Sequence, residues 1–144
     1  MCETLDTDAE ITRSENGRAL IVTNAPRWQV GVVEVDGCLI NDNSKRCDWM
    51  VRLPLSKKIS KGIASSKLIE LKGSNVLKAF QQLEATLIHP AVANDRVSIN
   101  ECFIVSKISP SFTGTIQIQK KYFRDQFGLP VNVVPVAKIN VQKP

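Results

Sequence analysis

The chain of 144 residues has one histidine, one tyrosine and four cysteines. It has no apolar run near the roughly 20 residues that a membrane-spanning helix needs. Its start, Met1-Cys2-Glu3-Thr4-Leu5-Asp6, is acidic and lacks the basic-then-apolar profile of a secretory signal. A soluble, cytoplasmic protein with no membrane partner is expected. The cysteines, at positions 2, 38, 47 and 102, form no Cys-x-x-Cys pair and have only His89 to join them. Structural zinc needs close ligand pairs, so it is not expected. Four cysteines at this length also make no disulfide scaffold, and all four read as reduced thiols. His89 precedes Pro90 at a helix end, where a histidine has a structural use.

What is present is ordinary globular composition, 43% hydrophobic and 23% charged, in a length that fits one domain. The net charge of +5 is unevenly spread. Residues 1–42 hold eight acids and three arginines, whereas the remaining 102 residues hold 16 bases and six acids. A basic body with few acids is the footprint of a polyanion-binding surface, and nucleic acid is the commonest polyanion.

Residues 1–17 read as a polar, acidic segment with at most a short helix. Arg18 to Thr23 is β-prone, and Trp28 to Ile40 is rich in valine and isoleucine with a turn signal at Asp36-Gly37. Asp48 to Leu53 reads as a strand ended by Pro54. Residues 55–67 hold four lysines, four serines and a glycine, the composition of a flexible basic loop. Leu68 to Lys72 is a short strand broken by Gly73. Ser74 or Asn75 can then cap a helix reaching Ile88, whose Val76, Phe80, Leu83 and Leu87 form one apolar stripe. Val97 to Ile108 is a longer strand. Residues 115–127 carry both strand-like and helix-like spacing, with Gly128 and Pro130 favouring a helix. Val131 to Val141 is a last strand, placed at a sheet edge by Pro135. The sum is a mixed sheet with helices packed against it.

Glu70-Leu71-Lys72 is the most informative tripeptide. On a strand Glu70 and Lys72 share one face, while Ile69 and Leu71 share the other. Pairing with the strand headed by Asp48 brings a second carboxylate beside Glu70. Two converging carboxylates suit a hard divalent cation; magnesium needs little more than this pair and a backbone carbonyl, here that of Leu71. Lys72 then lies within reach of the attacking water and a phosphate oxygen. The plainer alternatives are a surface ion pair for Glu70 and Lys72, a turn cap for Asp48 and a solvated loop for the lysines.

This arrangement resembles the PD-(D/E)xK nuclease superfamily, with its restriction-endonuclease-like fold. Asp48, in Arg46-Cys47-Asp48-Trp49, matches the family aspartate, and Glu70 and Lys72 match its acid and lysine. Gln82, in Ala79-Phe80-Gln81-Gln82-Leu83, is placed like the glutamine that some branches carry on the next helix. The resemblance implies an α/β (α+β) domain over 18–144, a central mixed β-sheet flanked by helices. It also implies a nuclease that hydrolyses phosphodiester bonds with Mg2+ or Mn2+. Asp48 and Glu70 would hold the metal, Lys72 would orient the nucleophile, and Gln82 would position a phosphate or a water. Lys45, Arg46, Lys57, Lys58, Lys61, Lys67 and Lys78 are the expected backbone contacts to nucleic acid, with DNA favoured over RNA. Cutting both strands of a duplex requires two actions of one site, which makes a homodimer a natural arrangement. The alternative is a catalytically inactive nucleic-acid-binding or regulatory module on the same fold.

Overall fold

A computed structural model describes residues 1–71, 75–106 and 114–141. The first 17 residues, expected to stand apart, form two strands, β1 (Glu3–Asp6) and β2 (Glu10–Glu15). Strand β2 turns at Asn16-Gly17 into β3 (Arg18–Thr23), and both turn residues have positive φ, 52° and 75°. Asn-Gly at such angles is the favoured two-residue hairpin turn. The acidic composition hid this signal, as did the short alternation that buries Ile11 between exposed neighbours.

Strands β4 (Val30–Glu34), β5 (Trp49–Pro54) and β6 (Ile63–Glu70) follow, then helix α1 (Val76–Ile88), β7 (Ile99–Val105), helix α2 (Gly114–Phe127), β8 (Val131–Val134) and β9 (Val136–Asn140). The larger sheet has six strands in the order β1-β4-β5-β6-β7-β8. Its first three pairings are antiparallel, and β6-β7 and β7-β8 are parallel. A second sheet has the order β2-β3-β9. Pro135 lies where the chain leaves β8, an edge strand of the first sheet, for β9, an edge strand of the second. The mixed α/β character is therefore present in a single domain, with two sheets and two α-helices among the described residues.

The expected loop over 55–67 is corrected. Only 55–62 connects β5 to β6, with a short 3-10 turn at Ile59–Lys61; Ile63 onward is strand. Ser66 there is fully buried, its N–H donating to the Ser98 carbonyl (2.7 Å) and its hydroxyl paired with that of Ser98 (2.8 Å). Serine reads as loop by composition, but a buried hydroxyl with a partner is as stable in a strand.

Side-chain alternation gives the large sheet two buried faces. Met50, Leu68, Cys102 and Ile104 meet Phe80, Leu83 and Leu87 of α1 and Ile116 and Phe123 of α2. Val51, Leu53, Ile69, Leu71 and Phe103 meet Ile11, Leu20, Val22 and Ile139 of the second sheet. The Asn75 side chain caps α1 by accepting the Lys78 N–H at 3.1 Å. Helix α2 ends at Gly128, φ 67°, whose N–H returns to the Arg124 carbonyl. Gly31 permits a close approach, since a Cβ there would strike the Glu3 carboxylate, which pairs with Arg52.

Cysteine usage is also corrected. Antiparallel pairing of β1 with β4 sets Cys2 beside Glu34, and the turn after β4 carries Cys38 back over it, where the two form a disulfide. Their separation of 36 residues hides the contact. Cys47 and Cys102 are free and buried. Denatured without reductant, the chain should therefore titrate two thiols rather than four. Reduction should lower stability by about 2–4 kcal/mol in urea unfolding. Phe80→Ala, which empties the ring contact with Phe123 (centroids 5.6 Å apart), should cost about 3–5 kcal/mol.

Candidate functional site

The chain reaches Asp48 through a segment held at every residue. The Gln82 side-chain amide donates to the Arg46 carbonyl (3.3 Å), and the Cys47 N–H donates to the Thr86 hydroxyl (2.8 Å). Thr86 is itself fully buried and donates to the Gln82 carbonyl (2.8 Å), so α1 grips the segment at two adjacent points. Asp48 N–H then bonds the Ile69 carbonyl, while its own carbonyl accepts from Val35 (3.0 Å) and Asp36 (3.4 Å). Its carboxylate Oδ2 accepts the Leu71 N–H at 2.8 Å. Asp48 is 5% exposed.

Glu70 ends β6. The β5-β6 ladder ends at Trp49↔Ile69, and just beyond it the Asp48 backbone bonds Ile69 and its carboxylate bonds Leu71, so Asp48 lies against the segment that carries Glu70. Leu68 packs under the helices whereas Ile69 and Leu71 pack on the second sheet, so alternation turns Glu70 toward the helix side. Glu70 is fully buried, both oxygens included. Two neighbouring carboxylates in a low-dielectric position repel each other and lose hydration, so they favour a nearby cation. The donor set is oxygen only and fits a hard divalent ion. Among the described residues no third Asp, Glu, His or Cys completes a cluster with them. Lys72 lies outside the described residues. Leu71 is held by its N–H against Asp48, so its backbone borders the pair.

The pair lies at the carboxyl ends of the parallel strands β6, β7 and β8, where open α/β sheets gather ligands. The N-terminus of α1 begins five residues beyond Leu71.

The remaining expected residues divide. Gln82 is a clamp on the Arg46 carbonyl, and this bond takes one of its two amide hydrogens. Arg46 is also spoken for: its Nε pairs with Asp36 (2.8 Å) and its Nη1 bonds the Asp42 and Ser44 carbonyls, closing the turn. Lys45, exposed, reaches Gln81 on α1, and Lys78 is exposed in the first turn of α1. Lys67 faces the second sheet and pairs with Glu101 (3.1 Å) and Asn100 (2.8 Å), away from the carboxylates. Lys57, Lys58 and Lys61 lie at the opposite end of the β5-β6 hairpin, roughly 20 Å away along a strand that rises about 3.3 Å per residue. They cannot gather at the carboxylate pair. Thr86 was missed; its signal is a polar residue wedged in the apolar stripe beside Leu87.

A cleft of about 470 Å³ lies at that far end, lined by Leu53, Ser65, Lys67, Glu101, Lys138 and Asn140. It is separate from the carboxylate pair, and its central lysine is neutralised by Glu101.

His89 is structural. Its Nδ1 accepts the Ala91 N–H (3.0 Å), which leaves the proton on Nε2 to donate to Asp42 (2.9 Å). The hydrogen bonds from His89 and Ser44 hold the Asp42 carboxyl well below the usual carboxylate range. Burial pushes the Cys47 thiol up, with Glu70 and Asp48 adding to the shift, and pushes Cys102 up to about 12.

No helix among the described residues is long and apolar enough to cross a membrane. No family model, curated protein or solved structure matches the chain.

Thr86→Val keeps the volume but leaves the Cys47 N–H without its acceptor, and should cost about 1–3 kcal/mol in urea unfolding. Thr86→Ser should restore most of it. At pH 8 neither buried thiol should react with iodoacetamide in the folded chain. Because their folded pKa values are raised, the thiols stabilise the fold below about pH 9. That contribution should fade as pH climbs toward 12, read as a falling thermal midpoint.

Proposed function

We propose that the protein is a metal-dependent nuclease that hydrolyses phosphodiester bonds, with DNA as the favoured substrate. One observation carries the reading: two buried carboxylates, Asp48 and Glu70, lie at the same end of a sheet, Asp48 bonded to both neighbours of Glu70, in a chain of net charge +5. The strand order supports it, since antiparallel β4-β5-β6 followed by α1 and parallel β7 is the mixed sheet that the PD-(D/E)xK resemblance implies.

On this reading Asp48, Glu70 and the Leu71 carbonyl hold Mg2+ or Mn2+. When bound, such an ion lowers the pKa of water and offsets the negative charge of a phosphodiester. The Leu71 N–H fixes one Asp48 oxygen and leaves the other for the cation. Lys72 orients the attacking water and stabilises charge developing on the phosphate. Gln82 and Thr86 act one step back, by holding Arg46 and Cys47 and so the backbone of Asp48. Lys45 and Lys78, exposed beside the site, supply backbone contacts that carry no sequence information.

A second reading, a non-catalytic nucleic-acid-binding module, is favoured by the depth of the pair. Glu70 is 0% exposed, which suits a carboxylate retained for structure. The two readings separate in one assay. A nuclease cleaves plasmid or single-stranded DNA with magnesium or manganese and not with chelator. Asp48→Asn, Glu70→Gln and Lys72→Ala should each lower the rate at least about 100-fold, the scale of losing one preorganised charged group. Magnesium should also raise the thermal midpoint of the wild type and not of Glu70→Gln. Salt-sensitive DNA binding without cleavage or metal dependence selects the module instead.

A further inference from the structure

The β2-β3 hairpin comes from the most acidic part of the chain, yet it carries two arginines to the end of the molecule that holds Asp48 and Glu70. The topology places them there. Strand β8 ends beside the carboxyl ends of β6 and β7, and after Pro135 the chain enters β9, whose first residue Val136 pairs with Ala19. The start of β3 and the end of β2 therefore lie at the site end. Arg13 confirms the placement, because its guanidinium sits 5.5 Å from the centroid of the Trp49 ring, next in sequence to Asp48.

Alternation directs both arginines inward. Leu20 is buried between the sheets, Arg18 shares its face on β3, and Arg13 is its cross-strand partner on β2. Arg13 is held by the Trp49 ring and by its own bond to the Thr12 carbonyl (2.9 Å). Arg18 is half-buried, and its Nε is shielded from solvent with no hydrogen-bond partner among the described residues. Glu15 is the cross-strand partner of Arg18, yet neither arginine forms an ion pair within 4.0 Å with a carboxylate among the described residues. A shielded guanidinium donor lacking an acceptor is costly, and an anionic oxygen is its natural complement.

We infer that the β2-β3 hairpin is the second wall of a nucleic-acid groove, with Arg13 and Arg18 each holding a backbone phosphate at the sheet end that carries Asp48 and Glu70. The inference rests on the nuclease reading and names the strand contacts of that same site. Lys45 and Lys78 form the helix-side wall, and the phosphodiester chain crosses the sheet end between the two walls. Glu15 and Glu34 share the hairpin-side rim, so attraction there depends on the two arginines rather than on a broad basic patch. Stacking on Trp49 presents the Arg13 donors in one orientation, which suits a phosphate fork better than a free lysine does.

The test is the salt dependence of DNA binding by the full chain without divalent metal, read by fluorescence anisotropy on a single-stranded 20-mer. Arg13→Gln and Arg18→Gln should each weaken binding several-fold and reduce the log–log salt slope by about 0.7, the value for one single-strand phosphate contact. The double variant should lose about twice that slope. Arg13→Lys and Arg18→Lys should keep the slope, which separates a lost contact from a lost fold. Lys121→Gln on α2, which removes an exposed lysine paired with Asp125, is the charge control. If the glutamine variants match Lys121→Gln in affinity and slope while the wild type binds DNA, the hairpin wall is wrong and the nuclease reading survives. A flat wild-type titration overturns both.

Discussion

The antiparallel register between β5 and β6 is the constraint on which the rest depends. With Trp49 opposite Ile69, Asp48 is brought against the end of β6, bonded to Ile69 and Leu71 on either side of Glu70. A slip of one residue would turn Glu70 toward the second sheet and expose the apolar set that now packs under α1. The register is held because both faces of the hairpin are buried: Met50 and Leu68 on one side, Val51 and Ile69 on the other. The carboxylate pair is thus a by-product of packing that any alternative register would sacrifice.

Around that register the molecule spends its polar contacts on a short stretch of backbone. Residues 46–48 are bonded from α1 by Gln82 and Thr86, from the turn after β4 by Val35 and Asp36, and from β6 by Ile69 and Leu71. Buried backbone groups must be satisfied wherever they fall. Here the partners come from three separate elements, so Asp48 is placed by the assembly rather than by its own strand. The disulfide adds a tether to the same region, since Cys38 lies in the turn whose first residues hold the Asp48 carbonyl.

Legibility in the sequence followed the strength of local signals. Helix α1 was readable because Asn75, the Val76–Leu87 stripe and Pro90 agree with one another, and β5 because it is a compact apolar run closed by Pro54. The hairpin at residues 10–23 was missed although Asn16-Gly17 marks its turn, because composition outweighed two alternating inward positions. The serines of β6 misled for the same reason: Ser66 needs Ser98, 32 residues away, to justify its burial. Among the basic residues, proximity in sequence was a poor guide. Lys57, Lys58 and Lys61 precede Glu70 by 9 to 13 residues but occupy the far end of the hairpin, whereas Arg13 stacks on Trp49, next to Asp48.

The sequence by itself determined that a carboxylate strand end, an apolar strand and a capped amphipathic helix follow one another, because those signals are periodic and local. It also determined that Asp48 and Glu70 could share a face, because strand alternation has a period of two. Only the tertiary structure decided that they are buried rather than exposed. It also decided that Gln82 and Arg46 serve the backbone, that Cys2 meets Cys38, and that Arg13 from an acidic segment reaches Trp49. Each of these depends on contacts between residues distant in the chain. Such contacts are set by how two sheets and a helical layer close on one another, which no local pattern encodes.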